Sequence, residues 1–167
     1  PANPLRPQGA YGHWQLNMWV RFITERVAPA AALLGNRAHR PAASDEAIAR
    51  VPSLDLRERW EAVREGRYVD AQIADSEGKI RLGVERTEAQ IGDGDWILDD
   101  FTIADLETYA WLAPMVSTVP DAFASAPTTK AWLARVKGRP SVQKALATAS
   151  GDPLQSWAPG PEINRWG

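Results

Sequence analysis

The stretch DDFTIADLETYAWL, residues 99–112, marks one helix start several times over. Thr102 and Asp105 stand in the T-x-x-D spacing of a capping box. The Thr102 hydroxyl can accept from the Asp105 amide, and the Asp105 carboxylate can reach back to the Thr102 amide. Phe101 and Leu106 occupy the two positions of a hydrophobic staple, and Asp105 sets negative charge on the positive end of the helix dipole. A surface helix needs little of this, because water satisfies its first amides. The apolar residues Ile103, Leu106, Tyr109, Ala110 and Ala113 predict instead a helix that enters the core, where each unmet donor costs roughly 1–3 kcal/mol. Thr102 and Asp105 are therefore expected to be structural rather than catalytic.

Helical periodicity runs through the rest of the chain, and no convincing strand appears. The expected fold class is all-α, a bundle of five or more helices. Tyr11, Trp14, Met18, Phe22 and Val27 follow helical spacing, which predicts a first helix from about residue 10 to Leu34 that Pro29 kinks or divides. Gly35 to Ser44 is a break, and Ser44 can cap a helix with Asp45 and Glu46 in its first turn. Pro52 to Gly66 reads as a helix with proline in the first turn and glycine at the far end. Val69, Ile73, Ile80, Val84 and Ile91 mark a long helix in which Gly78 and Gly83 are weak points. Gly92 to Trp96 is a turn, the capping-box helix extends to about Met115, and Val119 to Pro127 is loop. TTKAWLARVKG predicts a helix burying Trp132, Leu133 and Val136 and stopped by Gly138. The last helix opens either with Pro140 at its first position or with Ser141 as its cap. From Gly151 the Pro/Gly/Trp-rich sequence predicts an irregular tail. Its Trp157 or Trp166 either folds back over the domain as a lid, or the tail is disordered.

Composition excludes several functions. The net charge of -2 argues against nucleic acid as a main partner. There is no cysteine, hence no disulfide, thiolate metal site or cysteine nucleophile, which fits a cytoplasmic protein. The longest apolar stretch, Val27 to Leu34, is too short to span a bilayer, so no membrane partner is expected. His13 and His39 stand far apart without a metal motif, and the crowded Asp93, Asp95, Asp99 and Asp100 lack the spacing of a calcium loop. No nucleophile elbow, phosphate loop or dinucleotide fingerprint occurs, so no catalytic residue and no metal ligand is assigned. Eight tryptophans favour core packing, with an aromatic pocket as the sharper alternative.

FTIADLETYAWL followed by TTKAWLARVKGRPSVQKAL resembles the all-helical C-terminal domain of the glutathione transferases. The opening NPLRPQGAYGHWQLNMWVRFITE is similar to that family's interdomain linker and first domain helix, with Trp19 and Glu25 at familiar places. VPSLDLRERWEAVREGRYVD resembles the matching stretch of the bacterial transferases that cleave lignin β-aryl ethers, the β-etherases, and of related fungal enzymes. The resemblance implies a glutathione-transferase C-terminal-type helical domain over residues 1–150, with residues 1–9 as linker from an N-terminal thioredoxin-like domain and 151–167 as the tail. It implies glutathione as cosubstrate, bound mainly by that thioredoxin-like domain, an electrophilic aromatic substrate, and a cytoplasmic homodimer. Position in the family then suggests Tyr11, Trp14, Met18, Trp111 and Met115 for an apolar substrate wall, and Arg59 and Trp60 for substrate contacts in the ether-cleaving branch. For each of these, plain core packing or a surface ion pair is the competing account. The alternative function is a non-catalytic interaction module, since the same helical domain serves for docking in some translation factors.

Overall fold

In the computed structural model, which describes residues 5–39 and 44–148, every regular element is helical. Helix α1 spans Gly9–Phe22 and passes through a π-helical segment, Ile23–Val27, into α2, Ala28–Ala38. The single first helix of the sequence pattern is thus continuous but changes pitch. Pro29 has no amide hydrogen, and its ring would collide with the carbonyl one α-turn back. The wider turn relieves this, with the Ala28 amide donating to the Ile23 carbonyl five residues earlier. The Thr24 hydroxyl donates to the Val20 carbonyl at 3.0 Å in the same stretch.

Helix α3, Asp45–Ala49, starts at Ser44, whose hydroxyl accepts from the Ala47 amide at 3.1 Å. Helix α4 is Leu54–Glu65, and its cap is Ser53, which accepts from the Leu56 amide at 3.3 Å. Pro52 therefore precedes the helix rather than opening it. Gly66 ends α4 in the left-handed region at φ 71°, ψ 28°, where a side chain would be strained. Helix α5, Asp70–Ile91, is the longest and runs unbroken through Gly78 and Gly83. Glycine at 83 serves close packing: a Cβ there would lie 2.9 Å from Val27 Cγ2.

Helix α6, Ile103–Leu112, touches α1, the π segment, α2, α5, α7 (Met115–Thr118) and α8 (Pro127–Lys137), and so occupies the centre of the bundle. A 3-10 turn, Pro120–Phe123, joins α7 to α8, in a region expected to be loop, and α9 is Pro140–Leu146 with Pro140 at its first position. The fully buried Ile23, Leu34, Ile80, Leu112, Trp132 and Val136 hold these elements together. The tail, with Trp157 and Trp166, lies outside the described residues. Among the described residues no helix is long and apolar enough to cross a membrane.

The start of α6 satisfies its free amides one by one. Ile103 donates to the Leu5 carbonyl at 2.9 Å, Ala104 to the Thr102 hydroxyl at 3.2 Å, and the reciprocal capping box of Thr102 and Asp105 is complete. Of the apolar residues that mark α6, Tyr109 is buried, Ile103, Leu106 and Ala113 pack partly buried against the core, and only Ala110 is exposed; Ala104, Asp105, Thr108 and Leu112 complete the buried face. Two of its polar members, Thr108 and Asp105, are matched, while the Tyr109 hydroxyl is buried with no partner among the described residues. Thr108 accepts from the Trp19 indole at 2.8 Å, which ties α1 to α6. Asp105 Oδ2 accepts from the Thr102 amide at 2.9 Å, while Oδ1 accepts from the Ile97 amide at 3.1 Å and the Trp132 indole at 2.8 Å. One carboxylate thus joins the helix start, the turn before it and α8. Burial pushes its pKa up against the pull of those hydrogen bonds.

A second acidic clasp closes the N-terminus of α8 from outside its own sequence. Glu88 of α5 accepts from the Thr128 amide at 3.0 Å and from the amide and hydroxyl of Thr129, each at 2.7 Å. Burial raises the Glu88 pKa, but these donors outweigh it and leave the value below the ordinary 4.5. A depressed folded value means that this contribution is full above the ordinary glutamate range and is lost as pH falls through the folded pKa. Glu88→Gln is expected to cost about 1 kcal/mol at neutral pH, as a lost cap. The gap from the native protein should narrow as pH drops below the glutamate range. Urea unfolding at pH 7 and in acid measures both, and a gap that widened in acid would contradict the assignment.

Candidate functional site

Helix α1 carries two apolar faces. Leu16, Ile23 and Val27, along α1 and the π segment, point into the core. Tyr11, Trp14 and Met18 point outward, at 70%, 55% and 49% exposure, with the Tyr11 and Trp14 rings stacked at 5.6 Å. Such a run of large apolar side chains on one open face marks a binding surface more often than a single exposed residue does.

The outer face borders a cleft of about 660 Å³ between α1, the π segment and the C-terminal part of α5. Its shape follows from the crossing at Gly83. There the bare backbone of α5 lies against Val27, and further along Trp14 to Phe22 the two helices stand apart. Trp14, Met18, Trp19, Phe22 and Leu98 give the cleft its apolar lining. Arg21, Arg26 and Arg86 give it positive charge, and among the described residues Glu25 is its single carboxylate. Glu25 is engaged by Arg21 at 2.8 Å. The Arg86 guanidinium lies over the Phe22 ring, 4.4 Å from its centroid.

Of the seven residues expected to bind substrate, the structure brings Trp14 and Met18 to this cleft, with Tyr11 stacked beside them. Met115 is 1% exposed and belongs to the core, because α7 turns it inward against the bundle. Trp111 is half-buried on α6, its indole donating to Glu107 at 3.0 Å. Arg59 is exposed on α4 and pairs with Asp55 at 3.1 Å, the surface ion pair that was the competing account. Trp60 lies on the same helix, its buried indole N–H meeting no acceptor among the described residues. The cleft therefore gathers α1 residues with Arg86, Gln90 and Leu98, which periodicity gave no reason to connect with them.

The arrangement offers adhesion and charge rather than covalent chemistry. Among the described residues no group of three or more acidic or imidazole side chains could hold a metal ion. The acidic turn before α6 is tied to protein groups. Arg135 pairs with Asp95 at 3.0 Å, Gln90 donates to the Ile97 carbonyl at 3.0 Å, and the Arg139 guanidinium lies 3.7 Å from the Phe101 centroid. Searches against models of known protein families and against curated proteins returned no match for this chain.

Proposed function

We propose that this chain is the helical, substrate-pocket domain of a glutathione transferase. Glutathione would supply the nucleophilic thiolate. It would add to an electrophilic carbon of an aromatic substrate, and in β-aryl ether cleavage a carbon–sulfur bond forms as the carbon–oxygen bond breaks and phenolate leaves. The observation that carries this reading is the buried capping box that starts the central helix, whose Asp105 also receives the Trp132 indole of the later helix. That contact links the two sequence stretches on which the resemblance rests.

In this reading the residues of the chain bind and orient. Trp14, Met18 and Leu98 form one apolar wall, and the stacked Tyr11 extends it. Capture of glutathione needs fixed donors for its carboxylates and amine. Among the described residues the open cleft has guanidiniums but no pairing of nucleophile and base, so activation of the thiol is assigned to a thioredoxin-like partner domain.

The test uses the longest gene product that contains this chain, beside the 167-residue chain alone. With glutathione and a β-aryl ether model dimer, the longer protein is expected to release phenol in a glutathione-dependent manner. The chain alone is expected neither to turn over nor to bind glutathione at micromolar concentration. Absence of glutathione-dependent conjugation in the longer protein, with this ether and with simple aromatic electrophiles, would favour an interaction module. Turnover by the chain alone would reassign the chemistry.

A further inference from the structure

We infer that residues 44–66, which carry α3 and α4, form a strap that opens from the bundle by melting as one unit while the bundle stays folded. This device stands apart from the cleft and from the proposed activity.

The strap has apolar residues but no share in the core. On α4, Leu56, Trp60 and Val63 recur at helical spacing, yet no residue of that helix is fully buried. Ile48 of α3 is buried, at 4% exposure. None of these residues belongs to the contiguous core, and none is among the half-buried residues that pack against it. Helices α3 and α4 touch one another, and neither packs closely on any other described helix. A short helix alone is marginal in water and depends on burial of an apolar face. A helix of 5 residues and one of 12 that cover chiefly each other lack most of that support.

The polar contacts close on themselves in the same way. Arg57 Nε donates to the Val51 carbonyl at 2.9 Å, Arg50 pairs with Glu46, and Arg59 pairs with Asp55. Arg64 pairs with Asp45 and so ties the end of α4 to the start of α3. All of these stay within the strap. The bundle is instead tied across helices, Trp19 to Thr108, Trp132 to Asp105 and Glu88 to Thr129.

Closure of the strap also carries a cost. The Trp60 indole N–H is buried and meets no acceptor among the described residues. Such a donor gives up its hydrogen bond to water when the strap closes and regains it on opening. Weak apolar cover, internal ties and a desolvated donor describe a unit that opens far more readily than the whole domain. The Arg64–Asp45 pair couples the loss of one helix to the loss of the other. Gly66, left-handed at φ 71°, interrupts the helical ladder before α5 begins at Asp70, so melting stops short of α5.

Native-state hydrogen exchange of the 167-residue chain, read by mass spectrometry, tests the strap. The amides of α3 and α4 are expected to share one protection factor, about a hundredfold below that of α5 and α6. Ile48→Ala, although it lies on α3, should speed exchange in α4 as well, by about tenfold. It should leave the α5 and α6 rates and the urea midpoint unchanged. Trypsin, which cuts the opened state, should cleave at Arg57, Arg59 or Arg64 before Lys79, Arg81 or Arg86 of α5, although Arg81 and Arg86 are exposed. Protection of α3 and α4 equal to that of α5, or a first cut in α5, would overturn the inference. Acceleration of α3 alone by Ile48→Ala would overturn it too, since two helices would then fray separately. An Ile48→Ala variant that loosened the bundle or failed to fold would show that the strap belongs to the bundle's own cooperative unit, against the inference.

Discussion

Asp105→Ala is expected to destabilise the protein by about 3–6 kcal/mol, measured by urea unfolding at neutral pH. The side chain has no exposure, and its removal strands three donors at once: the amides of Thr102 and Ile97 and the indole of Trp132. Each buried donor left without a partner costs roughly 1–3 kcal/mol. Asp105→Asn separates the two oxygens. Its amide oxygen can keep Ile97 and Trp132, while its NH2 group faces the Thr102 amide, donor against donor, so the cost should fall to about 1–3 kcal/mol. Asp105→Ala unfolding within about 1 kcal/mol of the native protein would contradict this accounting.

Trp132→Ala should cost about 3–5 kcal/mol, the range for emptying a large aromatic site in a packed core, since Trp132 is also fully buried. Trp132→Phe keeps most of the ring volume and deletes the N–H. It leaves Asp105 Oδ1 with the Ile97 amide, which favours a smaller loss of about 1–3 kcal/mol. Combining Trp132→Phe with Asp105→Ala should cost less than the sum of the two, because each variant already breaks the shared hydrogen bond. Strict additivity in that double-mutant cycle would mean that the 2.8 Å contact contributes nothing to stability.

The parts of the fold that could be read in the sequence are those closed within one helical turn. Ser44, Gly66 and the Thr102–Asp105 pair each act on residues two to five positions away, and each stands at its expected boundary. Pro52 was misplaced because a second capping residue, Ser53, follows it and the hydroxyl decides the boundary. What escaped was long-range. Trp132 reaches Asp105 across 27 residues, and Glu88 reaches Thr128 and Thr129 across 40 and 41. Neither partner carries a spacing that names the other.

The cleft was half legible for the same reason. Tyr11, Trp14 and Met18 share one helical face, so a wall of large apolar side chains could be seen on α1. Which face the core would take could not, because Leu16, Ile23 and Val27 make an equally periodic alternative. Arg86 joins the wall only through the crossing of α5 at Gly83.

The π segment makes the phase of that wall depend on the pitch of five residues. Successive α-helical residues are about 100° apart around the axis. Winding all five residues from Ile23 to Val27 as regular α-helix would turn α1 against α2 by an angle of that order. If α2 kept Ala31 and Leu34 against the core, Trp14 and Met18 would swing away from Arg86. If α1 kept its face, the small residues of α2 would leave α5. The wide turn thus works as a spacer in angle rather than in distance, and it lets one continuous rod present its inner stripe to the bundle and a differently aimed stripe to the cleft.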